Sequence, residues 1–122
     1  MTTKLSGATY KRGAVVLVLF PDSNLRTAKR RPALIVQADD LESGLPQIVL
    51  AMVTSNLQRA DHPSRVEVLR ATAEGRQSGL LSDSVVMTDN LATVLLSAID
   101  RVIGALPMTE VDIALRHTLG LN

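Results

Sequence analysis

A chain of 122 residues has room for one domain, since single domains run roughly 100–150 residues. Its hydrophobic share of 46% can fill an aliphatic core, but Tyr10 and Phe20 are the only aromatics, which excludes reading RNA by stacking bases on aromatic platforms. The net charge of +1 excludes a polycation, and the absence of cysteine excludes a disulfide framework, a thiolate zinc site and a Cys nucleophile.

Any nucleic-acid contact must therefore rest on charge and hydrogen bonds. The basic residues are unevenly spread: Lys4, Lys11 and Arg12 stand near the start, and Arg26, Lys29, Arg30 and Arg31 form a cluster. A local patch of that kind matters more to a phosphate backbone than net charge does. The opening MTTKLSGATYKRG has no apolar signal core, and no apolar run approaches the roughly 18–20 residues of a membrane helix. The expectation is one soluble cytoplasmic domain over 1–122, without membrane contact.

Residues 1–11 are polar and without periodicity, and read as a flexible lead-in. Ala14-Val-Val-Leu-Val-Leu-Phe20 is β-branched and short, so it reads as a strand, ended by the turn chemistry of Pro21-Asp-Ser-Asn24. A loop, Leu25 to Arg31, carries the basic cluster. Pro32-Ala-Leu-Ile-Val-Gln37 is the second strand, with Pro at its first position, where the missing N–H matters least. Gln47 to Val53 is the third, and Thr54-Ser55-Asn56 stops it. After a loop at Gln58–Pro63, Arg65-Val-Glu-Val-Leu69 alternates as a half-exposed strand does.

Ala71 to Gly79 reads as a wide polar turn. Ser84–Thr88 and Leu91–Leu95 are two short strands or one bent one. Ser97 to Asp100 fits a single helical turn capped by Ser97, and Arg101 to Leu106 is the last strand. At the C-terminal helix Thr109 is the expected N-cap and Gly120 the C′ residue, with Val111, Ala114, Leu115 and Leu119 on one face. The class predicted is mainly β (α+β): a small closed β-barrel with a short helical turn and a C-terminal helix.

No metal constellation is legible, because His62 and His117 stand far apart without ligand-like neighbours, and no phosphate-binding glycine loop is present. Neither a metal nor a cofactor is expected. Three features can carry chemistry. Lys29-Arg30-Arg31-Pro32, at the entry to a strand, is either a phosphate contact or a solubilising cluster. Thr54-Ser55-Asn56 can hydrogen-bond a phosphate oxygen or simply make a turn. Asp89-Asn90, between two apolar runs, offers a proton acceptor or an Asx turn.

Their order resembles that of the MazF/PemK toxin family. Arg12-Gly13 before an apolar strand, Phe20-Pro21, a polar loop and Lys29-Arg30-Arg31-Pro32-Ala-Leu-Ile-Val36 are similar to its opening block. Val53-Thr54-Ser55 is similar to its second, and Leu81-Ser-Asp-Ser84-Val-Val-Met-Thr-Asp-Asn90 with Ala92-Thr93-Val94 to a degraded third. The resemblance covers residues 12–106, and Leu119-Gly120-Leu121 is similar to the family's closing helix. It implies an SH3-like barrel acting as a homodimer, metal-independent cleavage of single-stranded RNA to 2′,3′-cyclic phosphate and 5′-hydroxyl ends, and a cognate antitoxin. Carried onto this chain, it makes Arg31, Thr54 and Asp89 the catalytic residues, with Lys29, Arg30, Ser55, Asn56 and Asn90 in support.

The chain departs from the pattern at Met87, Ala92 and Leu95, where members often carry Arg, Arg and Asp, and at Ala14 in place of the usual acid. Those departures keep open a catalytically degenerate member. Toxins similar to CcdB, which share the barrel and poison gyrase, are the other alternative. Leu91, Val94, Leu95, Leu96 and Ile99 either form an outward apolar face that a second copy covers or pack beneath the last helix.

Overall fold

The computed structural model describes residues 10–21, 24 and 26–122. The expected lead-in up to residue 9, residues 22 and 23 of the expected turn and residue 25 of the basic loop lie outside the described residues. β1 (Ala14–Pro21), β2 (Ala28–Ile35), β3 (Gln47–Thr54), β4 (Arg65–Val68), β5 (Ser84–Leu95) and β6 (Ile99–Ala105) form a six-stranded sheet, ordered β4-β5-β3-β2-β1-β6. Every neighbouring pair is antiparallel. α1 (Ala73–Ser78) follows β4, and α2 (Thr109–Leu119) follows β6.

The apolar runs are nearly continuous because both faces of the central strands are covered. Successive side chains point to opposite faces, and the core divides accordingly. Val15, Leu34, Ala51, Val53 and Val86 gather with Leu80 and with Val111 of α2. Val16, Val18, Ala33, Ile35, Ile48, Leu50 and Ile99 form the second cluster. The outward-facing question raised by the sequence divides: Ile99 is buried, Val94 and Leu96 are half-buried, and Leu91 and Leu95 are exposed at 37% and 59%.

The closed barrel expected from the sequence is corrected to an open sheet whose edges are β4 and β6. What lies between the edges is α1, in the stretch expected to be a polar turn. Thr72 caps this helix by accepting the Gly75 N–H on its hydroxyl at 3.0 Å, and Gly79 ends it in the left-handed region at φ +74°. Two glycines flanking and interrupting so short a segment hide its helicity from propensity. Close contact requires glycine here: a Cβ at Gly79 would meet the Ile103 carbonyl oxygen at 2.0 Å, and one at Gly104 of β6 the Gln77 carbonyl oxygen at 2.3 Å. The helix therefore seats on β6 backbone to backbone.

Local chemistry misled at two other ends. The turn expected at Ser97–Asp100 is a 3₁₀ turn at Leu96–Ala98 without a side-chain cap, because Ile99 is already drawn into β6 opposite Val18. Thr109 is the first residue of α2 rather than its cap. Gly120 does end α2 with φ +69°, its N–H directed at the Arg116 and His117 carbonyls, while Leu119 is 54% exposed instead of packed.

Three irregularities shape the functional side of the sheet. β2 starts at Ala28, inside the basic cluster and ahead of Pro32. Its residues 28–34 pair with β1, but pairing with β3 begins only at Ala33 opposite Met52. Pro32 brings no N–H to a ladder, and it stands where the β2–β3 ladder stops. β5 is one strand, but Met52 faces Met87 while Ala51 faces Leu91, so Thr88, Asp89 and Asn90 form a bulge. In β6, Val18 faces Ile99 and Leu17 faces Arg101, which leaves Asp100 as an extra residue.

The β5 bulge is tied down on its outer side. Arg65 donates to both carboxylate oxygens of Asp89, at 2.7 and 3.3 Å, and to the Arg59 carbonyl at 3.1 Å. The Arg65 hydrogen bonds hold the Asp89 carboxyl below the ordinary carboxylate range, outweighing partial burial. Thr88, fully buried, anchors the same bulge through the Ser64 carbonyl at 2.6 Å and the Thr118 hydroxyl at 2.7 Å.

Two predictions follow from these contacts. Gly104→Ala forces α1 away from β6 and destabilises the fold by about 1–3 kcal/mol, read as a lower urea midpoint; an unchanged midpoint would mean the helix does not seat there. Because the folded carboxyl of Asp89 titrates below its unfolded value of about 3.9, its contribution is complete above that pH and is lost as the pH falls through the lowered value. Asp89→Asn is accordingly less stable than the wild type at neutral pH, with the gap in urea midpoints closing below about pH 4.

Candidate nucleic-acid interface

Where the β2–β3 ladder ends at Pro32, the continuing strands bound a cleft of about 540 Å³. Its floor is apolar, from Leu17, Pro32, Val53 and Ile103. β2 supplies Arg30 and Arg31, the end of β3 supplies Thr54 and Ser55, and β6 supplies Arg101. The segment leaving α1 forms the remaining wall with Gly79, Leu80, Leu81 and Ser82, joined by Ser84 of β5. Among the described residues, the lining contains three guanidinium groups and four hydroxyls, and neither a carboxylate nor an imidazole. It is built to receive an anion.

The individual side chains are differently prepared. The Arg31 side chain is exposed and makes no hydrogen bond or ion pair with the described residues, so none of them competes with a ligand for its donors. The Thr54 hydroxyl accepts the Asn56 backbone N–H at 3.1 Å, which fills a lone pair and leaves its own proton to donate. Ser55 is exposed and without a partner among the described residues. Arg30 is held through Nε by the Asp100 carboxylate at 3.0 Å, with its terminal nitrogens still able to donate.

Of the residues singled out in the sequence, Arg30, Arg31, Thr54 and Ser55 thus meet in one cleft, and Lys29, Asn56, Asp89 and Asn90 do not line it. Lys29 is exposed opposite Phe20. Asn56 accepts the Gln58 N–H at 3.2 Å and so caps the 3₁₀ turn at Leu57–Arg59. Asp89 is clamped by Arg65, and Asn90 is exposed beside it in the bulge. Thr54-Ser55-Asn56 is thus a turn, and Thr54 and Ser55 of that turn line the cleft.

Arg101, Ser82 and Ser84 are cleft residues that the sequence did not single out. An arginine opening an apolar strand is an ordinary surface residue by pattern, and only its register with Leu17 brings it to the cleft. Met87, Ala92 and Leu95 lie along β5 outside the lining. Arg12, part of the early basic group, is committed to Asp112 at 2.6 Å and the Val36 carbonyl at 2.9 Å, holding α2 to the end of β2. The histidines, distant in sequence, come together edge to face with ring centroids 6.0 Å apart. Among the described residues, no three His, Asp or Glu side chains group so as to hold a metal ion, and no helix is long and apolar enough to cross a membrane.

Comparison with known proteins gives this arrangement its setting. The PemK-like, MazF-like toxin family of type II toxin–antitoxin systems matches residues 11–119. A Mycobacterium bovis protein named endoribonuclease MazF2 is 35% identical over 107 residues, covering 84% of this chain and 90% of the relative. A solved endoribonuclease in complex with its cognate antitoxin, from a mycobacterial species, superposes with a TM-score of 0.70 at 22% identity, covering 93% of this chain and 97% of that one. A MazE–MazF structure from Deinococcus radiodurans gives 0.67 at 19% identity, covering 93% and 97%. With a family match over nearly its whole length and a relative at this identity, the chain belongs to the PemK/MazF-like toxins of type II toxin–antitoxin systems.

Proposed function

We propose that this toxin is an endoribonuclease that cleaves single-stranded RNA without a metal ion, in the cytoplasm, with the cleft at Pro32 as its active site. The observation that carries the reading is the convergence of Arg31, which has no side-chain partner among the described residues, and the proton-donating Thr54 hydroxyl on one cleft with an apolar floor. The curated relative is an endoribonuclease. In the reaction assigned here, the RNA 2′-hydroxyl attacks the adjacent phosphorus and the 5′-oxygen leaves, giving a 2′,3′-cyclic phosphate and a 5′-hydroxyl.

Negative charge accumulates on the non-bridging oxygens of the phosphorane and then on the leaving oxygen. Preorganised donors aimed at that charge are the strongest lever such a site has. Arg31 supplies paired N–H donors to the phosphorane and donates to the departing oxygen, and Thr54 donates to the same oxygens. Ser55 and Arg30 hold the flanking backbone. Because no carboxylate or imidazole of the described residues lines the cleft, the 2′-hydroxyl proton passes to a phosphate oxygen held by Arg31 and from it to the departing 5′-oxygen, and Asp89 serves the fold through Arg65. The missing family arginines at Met87 and Ala92 take nothing from the cleft, which favours an active member over a degenerate one.

The partners follow the same reading. A second copy covers the apolar groups left exposed at Leu91 and Leu95, giving a homodimer, and an antitoxin masks the cationic cleft, as the solved relative bound to its cognate antitoxin illustrates.

Incubation of purified protein with a long single-stranded RNA in excess EDTA yields discrete fragments with 5′-hydroxyl ends. Arg31→Ala and Thr54→Val each lower the rate by about 10²–10³, whereas Asp89→Asn stays within a few-fold of wild type at neutral pH. Intact RNA from a well-folded dimer overturns the proposal and directs the next assay to gyrase supercoiling. A loss in Asp89→Asn as large as that in Arg31→Ala restores Asp89 to the chemistry.

A further inference from the structure

Arg101 and Asp100 have no part in the reaction as assigned, yet they border the cleft. The β6 register passes from Ile99, opposite Val18, to Arg101, opposite Leu17, and skips Asp100. A bulge of this kind re-aims the side chains around it. Here it brings the Asp100 carboxylate across β1 to Arg30 on β2, with Oδ2 at 3.0 Å from Arg30 Nε and 3.9 Å from Arg101 Nε. The Asp100 side chain is 26% exposed, while those of Arg30 and Arg101 are 58% and 67% exposed.

Arg30 thus hydrogen-bonds the carboxylate through Nε, and Arg101 stands at ion-pair distance from the same oxygen, also on its Nε side. An arginine engaged at Nε keeps its terminal N–H groups, the ones that bind phosphate in pairs. Two long cationic side chains free in solvent would carry a large rotamer entropy into binding and repel each other when brought to adjacent phosphates. A carboxylate between them reduces both penalties. Arg31 lies outside this arrangement.

We infer that Arg101 is a phosphate ligand for the RNA backbone beside the cleaved linkage, and that Asp100 is a positioning residue that sets Arg30 and Arg101 as a pair. The inference rests on the ribonuclease reading and adds to it a division of labour: Arg31 and Thr54 act on the reacting phosphate, and the Asp100 pair holds its neighbour.

The test uses the full chain and an RNA of about twenty nucleotides spanning a cleavage site mapped with wild type, carrying a 2′-deoxynucleotide at the cleaved position. Affinity is measured against salt, and cleavage of the all-ribose RNA is measured in parallel. Each phosphate contact on a single strand contributes roughly 0.7 to the slope of log K against log salt. Arg101→Ala therefore weakens binding and flattens the slope by about 0.7, Arg101→Lys restores the slope, and Arg116→Ala on α2 keeps the wild-type slope. Asp100→Asn, nearly isosteric and folded as judged by an unchanged thermal midpoint, raises KM several-fold more than it lowers kcat, and Asp100→Glu recovers much of the loss. A wild-type slope in Arg101→Ala overturns the ligand assignment. Tighter binding in Asp100→Asn overturns the positioning role, since the carboxylate would then be competing with phosphate. Wild type that neither binds nor cleaves RNA overturns the ribonuclease reading itself, before either variant is compared.

Discussion

The site depends on a place where hydrogen bonding stops. β2 and β3 are laddered from Ala33 inward, and at Pro32 the chain offers no N–H with which to continue. Beyond that point β2 runs on with β1 alone and β3 runs on with β5, as Thr54 facing Val85 shows. A cleft between two strands of one sheet is otherwise hard to build, because adjacent strands in register lie only about 4.8 Å apart. The residues that immediately flank the break, Arg30 and Arg31 on one side and Thr54 and Ser55 on the other, become its walls. Arg30, Arg31 and Thr54 sit on strands, so their backbones are fixed by the sheet before any ligand arrives, which is the condition preorganised electrostatics requires.

The third wall has a different origin. The sheet leaves β4 and β6 as edges, and unpaired edges invite association with other chains. α1 occupies the space between them, lying on β6 at a distance only glycine allows. Gly79, which ends the helix with a left-handed backbone, turns the chain so that Leu80, Leu81 and Ser82 face the cleft. The same glycine contacts that seat α1 on β6 therefore also place the third wall of the cleft.

Charge in and around the cleft is sorted by geometry rather than by amount. The chain is nearly neutral overall, and several of its arginines are committed to structure: Arg12 to Asp112 and Arg65 to Asp89. Arg30 and Arg101 share Asp100, and Arg31 alone of the cleft arginines has no partner among the described residues. Two bulges in the sheet produce this sorting. One turns Asp89 outward to Arg65, and the other releases Asp100 from the ladder so that it reaches across β1. A base and a clamp are chemically the same side chain, and the surrounding backbone decides between them.

Much of this was legible from residues alone. The aliphatic runs specified the strands because β-branched side chains suit a pleated, buried surface, and the block order from Arg12 to Val94 pointed to the toxin family. Arg31 and Thr54 stood out by their place in that block order, although Arg31 lies inside β2 and not at its entry, while Thr54 does end β3 at a turn. The α1 helix stayed hidden, since its stability comes from docking on Gly104, which lies beyond the reach of local propensity. Asp100 and Arg101 stayed hidden because their meaning lies in register, and a bulge has no single-residue signature. Sequence by itself determined which segments are buried and which chemistry the chain can offer. Only the tertiary structure decided which charges are spent on one another, because partners far apart in the chain meet only after the sheet has fixed their register.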